Sequence, residues 1–149
     1  MSKDNPLMRV AVYIDGGARG NPGPAGVGVV VESFDDGVVL HESGAFLGKA
    51  TNNVAEYRGL LAGLRSALAL GATEVDVFSD SQLVVRQMSG EYRVKNSGLQ
   101  PLYRQARELV EKFGGFTINH IGRDKNKKAD KLANQAMDAK GDVGDAVIW

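Results

Sequence analysis

The 149-residue chain contains no cysteine and only two histidines, and these shortages exclude several kinds of protein. Without cysteine there is no disulfide framework, no thiol nucleophile and no cysteine-ligated zinc site. His41 and His120 alone are too few for an ordinary zinc centre. A chain of this composition suits a reducing compartment.

The chain also lacks an excess of charge of either sign and lacks long apolar runs. Lysine plus arginine and aspartate plus glutamate both number 18, so any nucleic acid must be held by a local patch. No apolar run approaches the roughly 18 residues that span a bilayer, and the first ten residues lack a secretory-signal pattern. We expect a cytoplasmic monomer that binds no membrane, and nothing implies a protein partner.

Hydrophobic periodicity predicts an α/β fold. Short valine-rich segments predict strands at 8–15, 25–33 and 38–47, and the period then changes to that of a helix from Asn53 to Gly71. A strand at 74–80, a short helix at 81–90, a helix from Leu99, a strand at 116–121 and a helix from Asn126 follow. The expected architecture is a mixed five-stranded sheet, with three antiparallel strands and then parallel crossovers, flanked by helices.

Length predicts one domain over residues 1–149, with its core at 8–139 and a C-terminal tail at 140–149. The tail begins with polar residues, which indicate loose chain, and ends with the apolar residues "AVIW". Burial of these large side chains is favourable. We therefore expect the tail to dock on the domain or on a second subunit.

Four acidic residues are placed by separate elements where one pocket could hold them. Asp15 is expected at the carboxyl end of the first strand and Asp80 at the carboxyl end of the fourth, and neighbouring parallel strands would put them side by side. Glu56 is expected in the first turn of the first long helix, and Asp130 in the first turns of the last one. Ligands of open α/β sheets tend to bind at such strand ends.

Each acid alone has a purely structural interpretation. Asp15 can start a turn, Asp80 or Ser81 can cap the short helix, and Glu56 matches a capping box with Asn53. Asp130 can pair with a neighbouring lysine on its own helix. The joint placement of all four favours a site over these separate explanations.

Clustered carboxylates repel one another and stay ionised only when cations neutralise them. Two Mg²⁺ ions would balance the charge, because Mg²⁺ prefers oxygen ligands and keeps coordination positions open for a phosphate and a water. A pair of ions about 4 Å apart can activate a nucleophile and stabilise the departing oxygen of a phosphodiester. The pattern therefore indicates a nuclease.

Four segments, "YIDGGARGNPGPAG", "TNNVAEYRGLLAGL", "SDSQLVVRQMSG" and "RDKNKKADKLAN", resemble in order the acidic motifs of prokaryotic ribonuclease HI, over residues 8–139. The resemblance implies hydrolysis of the RNA strand of RNA/DNA hybrids, giving 5′-phosphate and 3′-hydroxyl ends. It implies two Mg²⁺ ions, for which Mn²⁺ can substitute. It also implies a metal-binding catalytic set of Asp15, Glu56, Asp80 and Asp130.

The resemblance further implies a set of substrate-binding residues. Asn21, Asn53 and Gln82 match residues that reach the minor groove, and Thr51 with Asn21 matches positions that hold a phosphate of the DNA strand. A turn residue, a helix cap and a solvated residue are the alternatives for Asn21, Asn53 and Gln82 respectively. The full set is Gly16, Gly17, Asn21, Thr51, Asn53, Ser81, Gln82 and Lys95.

Two departures from the family pattern stand out. Only Arg93 lies between "VVRQMSGEY" and "VKNSGL", where several relatives insert a helix and a basic protrusion, so Lys95 and Arg93 make at most a reduced substrate contact. Many relatives also place a mobile histidine in a longer loop before the last acid. Here Arg123 is the candidate for that catalytic role, with His120 as the alternative.

Three rival functions are open to this fold class. A resolvase-like or transposase-like nuclease would also use clustered acids, but the match of all four motifs argues against it. A hybrid-binding module that does not cleave is expected to lose at least one acid. A nucleotide-binding domain is disfavoured, because neither G-x-G-x-x-G nor G-x-x-x-x-G-K-[ST] occurs.

Overall fold

The computed structural model describes residues 7–149, which form one six-stranded sheet with four α-helices; residues 1–6, part of the segment tested above for a secretory signal, lie outside the described residues. The strands are β1 Arg9–Ala18, β2 Gly23–Ser33, β3 Val39–Ala50, β4 Glu74–Ser79, β5 Gly115–His120 and β6 Val143–Gly144. The helices are α1 Asn52–Ala69, α2 Gln82–Met88, α3 Gln100–Val110 and α4 Lys127–Ala139. None of the described helices combines the length and apolar character that a membrane span requires.

The sheet has the predicted mixed topology. Strands β1, β2 and β3 form an antiparallel meander, whereas β4 pairs in parallel with β1 and β5 in parallel with β4. The order across the sheet is β5-β4-β1-β2-β3-β6. The predicted α/β class is confirmed, and the predicted number of five strands is wrong by one.

The additional strand, β6, lies in the tail that was expected to start as loose chain. It pairs antiparallel with β3, placing Gly144 opposite Ser43. The Asp145 amide donates to the Glu42 carbonyl (2.7 Å), and the Glu42 amide donates to Asp145 Oδ2 (2.9 Å). A two-residue strand has no periodicity of its own, so only these contacts reveal it.

One face of the sheet packs against α1. Val10, Val12 and Ile14 alternate along β1 toward this face and are buried with the apolar stripe of α1. That stripe contains Tyr57, whose hydroxyl donates to Gln87 Oε1 at 2.6 Å, so its buried polar group is satisfied. The core therefore fixes α1 against β1.

The opposite face packs against α4, which approaches β2 and β3 closely. A Cβ at Gly28 would collide with the Ala129 carbonyl, and one at Gly44 would meet the Leu132 carbonyl, so glycine permits this approach. Buried Asn126, just before α4, donates through Nδ2 to the Ile14 carbonyl at 2.9 Å. The start of α4 is thereby pinned beside the centre of β1.

The apolar end of the tail lies on the domain. Val147 packs against the core that contains α1, and the Arg58 guanidinium lies 4.6 Å from the centre of the Trp149 ring. Trp149 stays 47% exposed, so its burial is partial. The expectation that the tail docks is confirmed for the domain itself.

Deletion of residues 142–149 is expected to lower the melting temperature by about 4–8 °C, because the half-buried side chains together stabilise by about 2 kcal/mol. This deletion keeps Gly141, whose amide caps α4 at the Ala136 carbonyl. Differential scanning fluorimetry measures the melting temperature of the deletion variant, and Trp149→Ala is the control, for which a smaller decrease is expected. An unchanged melting temperature would contradict a stabilising role of the tail.

Candidate active site

The four predicted acids line one open pocket of about 350 Å³ at one end of the sheet. Asp80 directly follows β4, and Asp130 lies in the first turn of α4, as expected. Glu56 lies two residues further into α1 than predicted, in its second turn, because the N-cap is Thr51 and not Asn53. The structure brings together all four carboxylates from four different elements.

Asp15 lies inside β1 and not at its end, which corrects the sequence prediction. The β1–β4 pairing ends at Ile14 opposite Ser79, whereas β1 continues along β2 to Ala18. Asp15 and Asp80 are therefore both the first residues beyond the paired parallel segment. Asp15 and Asp80 are neighbours as predicted because the β1–β4 pairing ends just before them, although β1 itself continues.

Burial and mutual repulsion dominate the electrostatics of the pocket. Burial first, then the charges of Asp80 and Asp130, raise the pKa of Asp15 to about 7. Burial also raises the pKa of Glu56 to about 7, with a further increase from Asp80, opposed by a hydrogen bond with Ser81 and by the Arg123 charge. The protein alone therefore does not supply enough positive charge to hold all of these acids ionised.

The donor set fits a hard divalent cation. Every donor is a carboxylate oxygen, the ligand type that Mg²⁺ and Mn²⁺ prefer. Within residues 7–149 no three acidic or histidine side chains already form a group that could hold an ion by themselves. Mg²⁺ commonly binds through one or two carboxylates, its own waters and substrate phosphates, so a preformed cage is not required.

Without divalent ions, the free energy of unfolding is expected to fall as pH rises from about 4 to about 7. Because the pKa of Asp15 is raised, the folded state keeps a proton that the unfolded state releases between about pH 4 and 7. The stabilisation from this proton is complete below about pH 4 and is lost as pH rises to about 7. Urea unfolding in EDTA at pH 5 and pH 8 measures this effect. The difference between the wild type and Asp15→Asn isolates the contribution of Asp15, and a difference independent of pH would contradict the prediction.

Arg123 lines the same pocket, whereas His120 does not. Arg123 begins the short 3-10 helix Arg123–Lys125 between β5 and α4, and its charge acts on Glu56. His120 is the exposed last residue of β5. The geometry thus favours Arg123 for the role that the sequence left between the two.

The glycines after Asp15 have different tasks. A Cβ at Gly16 would collide with the backbone of Ala55, so this glycine serves the packing of α1 on β1. A Cβ at Gly17 would meet nothing closer than Asn52 Oδ1 at 3.8 Å, and Gly17 lines the pocket. A glycine at position 17 would allow a ligand to approach the backbone closely, whereas the contact with Ala55 is enough to explain the glycine at position 16.

Of the predicted substrate-binding residues, Gly16 and Gly17 line the pocket, whereas none of the residues with a side chain does. Asn21 Oδ1 accepts from the Asn52 amide (3.1 Å), and Thr51 is the N-cap of α1, where the sequence analysis offered Asn53. Ser81 caps α2 by accepting from the Val84 amide. Asn53 and Gln82 are exposed in the first turns of α1 and α2.

Lys95 is separated from this group. It lies in the irregular segment between α2 and α3 and lines a different groove with Tyr92, Arg93, Tyr103 and Arg104. No helix interrupts residues 89–99, in agreement with the missing protrusion. The structure therefore has an open groove lined by basic and aromatic residues in place of a projecting basic element.

Sequence reasoning missed several pocket residues. Asn52 accepts from the Ala18 amide through Oδ1 at 2.8 Å, which ties the start of α1 to the end of β1. Arg19 and Asn134 also line the pocket, together with Met137. Arg19 is part of the first acidic motif, but nothing in the sequence connects it to Asn134, which lies 115 residues later.

Comparison with known proteins finds one matching family model and several similar proteins. A family model described as "Reverse transcriptase-like" matches residues 13–136. Ribonuclease HI of Halobacterium salinarum is 45% identical over 130 residues, covering 87% of this chain and 65% of that protein. The structure of LC11-RNase H1 in complex with RNA/DNA hybrid superposes with a TM-score of 0.83 at 43% identity, covering 88% of this chain and 98% of that chain.

A bifunctional protein of Mycobacterium tuberculosis is 54% identical over 132 residues. The match covers 89% of this chain but only 36% of that protein. The chain thus spans about a third of the length of the first curated relatives it matches.

Proposed function

The chain belongs to the ribonuclease H family, and we propose that it is an endoribonuclease that hydrolyses the RNA strand of RNA/DNA hybrids to 5′-phosphate and 3′-hydroxyl ends. The observation that carries this proposal is the convergence of Asp15, Glu56, Asp80 and Asp130 on one open pocket. A hydrolase of this class needs such a carboxylate set at the scissile phosphate.

These four carboxylates would hold two Mg²⁺ ions, with Mn²⁺ able to substitute. The chemistry that such ions supply when bound is activation of an attacking water and stabilisation of charge on the departing oxygen. Partial burial of Asp15 and Glu56 lowers the effective dielectric around their carboxylates, which strengthens their interaction with cations. Four separate backbone elements carry these side chains to the pocket, and the carboxylates would converge further when the ions bind.

Arg123 would stabilise negative charge on the side of the departing group. An arginine guanidinium acts by charge and hydrogen bonding and transfers no proton. The position of Arg123 in the short helix before α4 places it at the pocket with an exposed side chain. This assignment is part of the proposal.

Recognition of the hybrid would fall to short side chains near the helix starts. An A-like duplex displays 2′-hydroxyls in a wide, shallow minor groove, which Asn21, Asn53 and Gln82 can test by hydrogen bonding. Thr51 uses its hydroxyl oxygen to cap α1 and keeps its O–H for a phosphate of the DNA strand. Ser81, Gly16 and Gly17 would form the surface between these side chains.

A cytoplasmic location and a monomeric state remain predictions from the sequence.

Binding of the hybrid is expected to depend weakly on salt. Lys95 and Arg93 lie in a groove and on no protrusion, so we expect about three to five phosphate contacts and a correspondingly shallow dependence of log K on log salt. Fluorescence anisotropy with a labelled hybrid in Ca²⁺ at 50–300 mM KCl measures the slope. A slope that corresponds to eight or more released ions would contradict this prediction.

Incubation with end-labelled RNA/DNA, RNA/RNA and single-stranded RNA tests the function. Mg²⁺, Mn²⁺ and EDTA are compared in parallel, and internal cuts in the RNA of the hybrid alone, absent in EDTA, are the expected result. Binding of the hybrid without cleavage in either metal would instead support the non-cleaving module and overturn the proposal.

A further inference from the structure

Arg19 extends from a fixed backbone position across to α4. Its amide donates to the Pro24 carbonyl at 2.8 Å, and a Cβ at Gly23 would collide with the Arg19 carbonyl, so the loop closes tightly around it. From there Nη1 donates to Asp138 Oδ1 at 2.8 Å, and Nη2 donates to Asn134 Oδ1 at 3.1 Å. The guanidinium thus spans two successive turns of α4.

Asn134 continues this chain of hydrogen bonds to an acid of the pocket. Its Nδ2 donates to the Asp130 carbonyl at 3.0 Å and to Asp130 Oδ1 at 3.3 Å. A guanidinium only donates and a carboxylate only accepts, so a single orientation of the Asn134 amide satisfies both partners. Arg19 therefore determines which way the amide N–H points.

Asp130 is the acid that most needs such support. It is exposed at the start of α4, whereas Asp15 and Glu56 are half-buried in β1 and α1. The Asp130 carboxyl group also hydrogen-bonds with Asp15, but that bond needs a shared proton and is lost when both acids are ionised, as metal binding requires. Hydrogen bonds to a metal-binding carboxylate are known to orient it and to affect metal affinity.

We propose that Arg19 is a positioning residue that acts through Asn134 to hold the Asp130 carboxylate in the orientation that metal binding requires. The inference rests on the proposed function, because it takes Asp130 as a metal ligand. The Arg19 and Asp138 side chains are 48% and 68% exposed, and such exposed ion pairs contribute little to stability. A role in metal binding is thus separable from a role in folding.

Direct titration of the metal-free, substrate-free full chain with Mn²⁺, followed by the electron paramagnetic resonance signal of the free ion, tests the proposal. Arg19→Ala and Asn134→Ala are each expected to weaken Mn²⁺ binding by about tenfold. The double variant is expected to bind no more weakly than the weaker single one, because both changes break the same relay. Arg19→Lys is expected to recover only part of the affinity, because a lysine keeps the positive charge but reaches fewer partners at once.

Gln135→Ala is the matched control, since Gln135 is the exposed neighbour of Asn134 on α4. Its Mn²⁺ affinity and the melting temperatures of all variants are expected to stay near those of the wild type. Unchanged Mn²⁺ affinity in Arg19→Ala, additive losses in the double variant, or no Mn²⁺ binding by the wild type would each overturn the inference.

Cleavage assays separate this inference from the proposed function. In Arg19→Ala the Mg²⁺ concentration for half-maximal cleavage is expected to rise about tenfold, with an unchanged KM for the hybrid at saturating Mg²⁺. A raised KM with unchanged Mn²⁺ affinity would make Arg19 a substrate contact and overturn its positioning role. Relay-dependent Mn²⁺ binding in a wild type that cleaves no hybrid would overturn the proposed function and leave the inference standing.

Discussion

Asp15→Asn is expected to lower hybrid cleavage by about a thousandfold or more and to raise the melting temperature of the metal-free protein at pH 8. The amide keeps the shape of the side chain but removes the negative charge that a cation requires. The same charge is unfavourable without metal, because burial and the neighbouring acids have raised the pKa of Asp15 to about 7. Asp80→Asn is expected to abolish cleavage in the same way. Single-turnover cleavage and thermal unfolding in EDTA measure the two effects.

Asp76→Asn provides the matched control on a neighbouring strand. Asp76 is buried in β4, but it accepts from Arg9 Nε and from Thr117 Oγ1, both at 2.6 Å. The hydrogen bond from Arg9 lowers the pKa of Asp76, so its ionised form stabilises the fold above the unfolded pKa. Its amide variant is expected to be less stable at pH 8 and to cleave at the wild-type rate when folded.

At pH 8 without metal, Asp15→Asn is therefore expected to raise the melting temperature and Asp76→Asn to lower it. Asp15→Asn with cleavage within tenfold of the wild type would end the metal-ligand assignment. A variant that loses both activity and metal-free stability would show that Asp15 has a structural role like that of Asp76.

Much of the fold follows from local patterns. Alternating valines define the meander strands, and Tyr57, Leu61 and Leu64 define the buried stripe of α1, because burial of one face imposes a period. The parallel pairing of β4 with β1 follows from the helical connection between them. Such patterns suffice to place acids from different elements at one end of the sheet.

The details that local patterns could not give depend on tertiary contacts. Gly16 and Gly17 look like turn residues, but they pair with Val27 and Gly26 because β2 extends alongside them. Thr51 caps α1 in place of Asn53, since the helix begins once the chain leaves β3 at Ala50. The end of an element thus depends on its partner as much as on its own residues.

The relay from Arg19 was equally beyond the sequence. Arg19 becomes a neighbour of Asn134 and Asp138 only because α4 packs on glycines of β2 and β3. Asp130 and Asn134 are four residues apart, a spacing that places them on one helix face without indicating a partner. Motif positions identify candidates for metal ligands, whereas the residues that orient them emerge from packing.

Arg123→Ala is expected to slow cleavage by about ten- to a thousandfold and to leave the shape of the pH–rate profile unchanged. The magnitude corresponds to the loss of one contact to charge that develops in the transition state. The profile stays unchanged because an arginine does not titrate in the working range. Single-turnover rates between pH 6 and 9 at saturating Mg²⁺ measure both quantities, and Arg123→Lys is expected to recover part of the rate.

His120→Ala is the comparison that decides the assignment, because an imidazole can transfer a proton, whereas a guanidinium does not. His120 is exposed at the end of β5 and does not line the pocket, so its removal is expected to leave the rate and the profile near those of the wild type. A large loss of rate in His120→Ala with a flattened acidic limb, together with a nearly silent Arg123→Ala, would make the histidine the mobile proton carrier. In that case the loop before α4 would have to move on substrate binding, since Arg123, and not His120, faces the acids in the free protein.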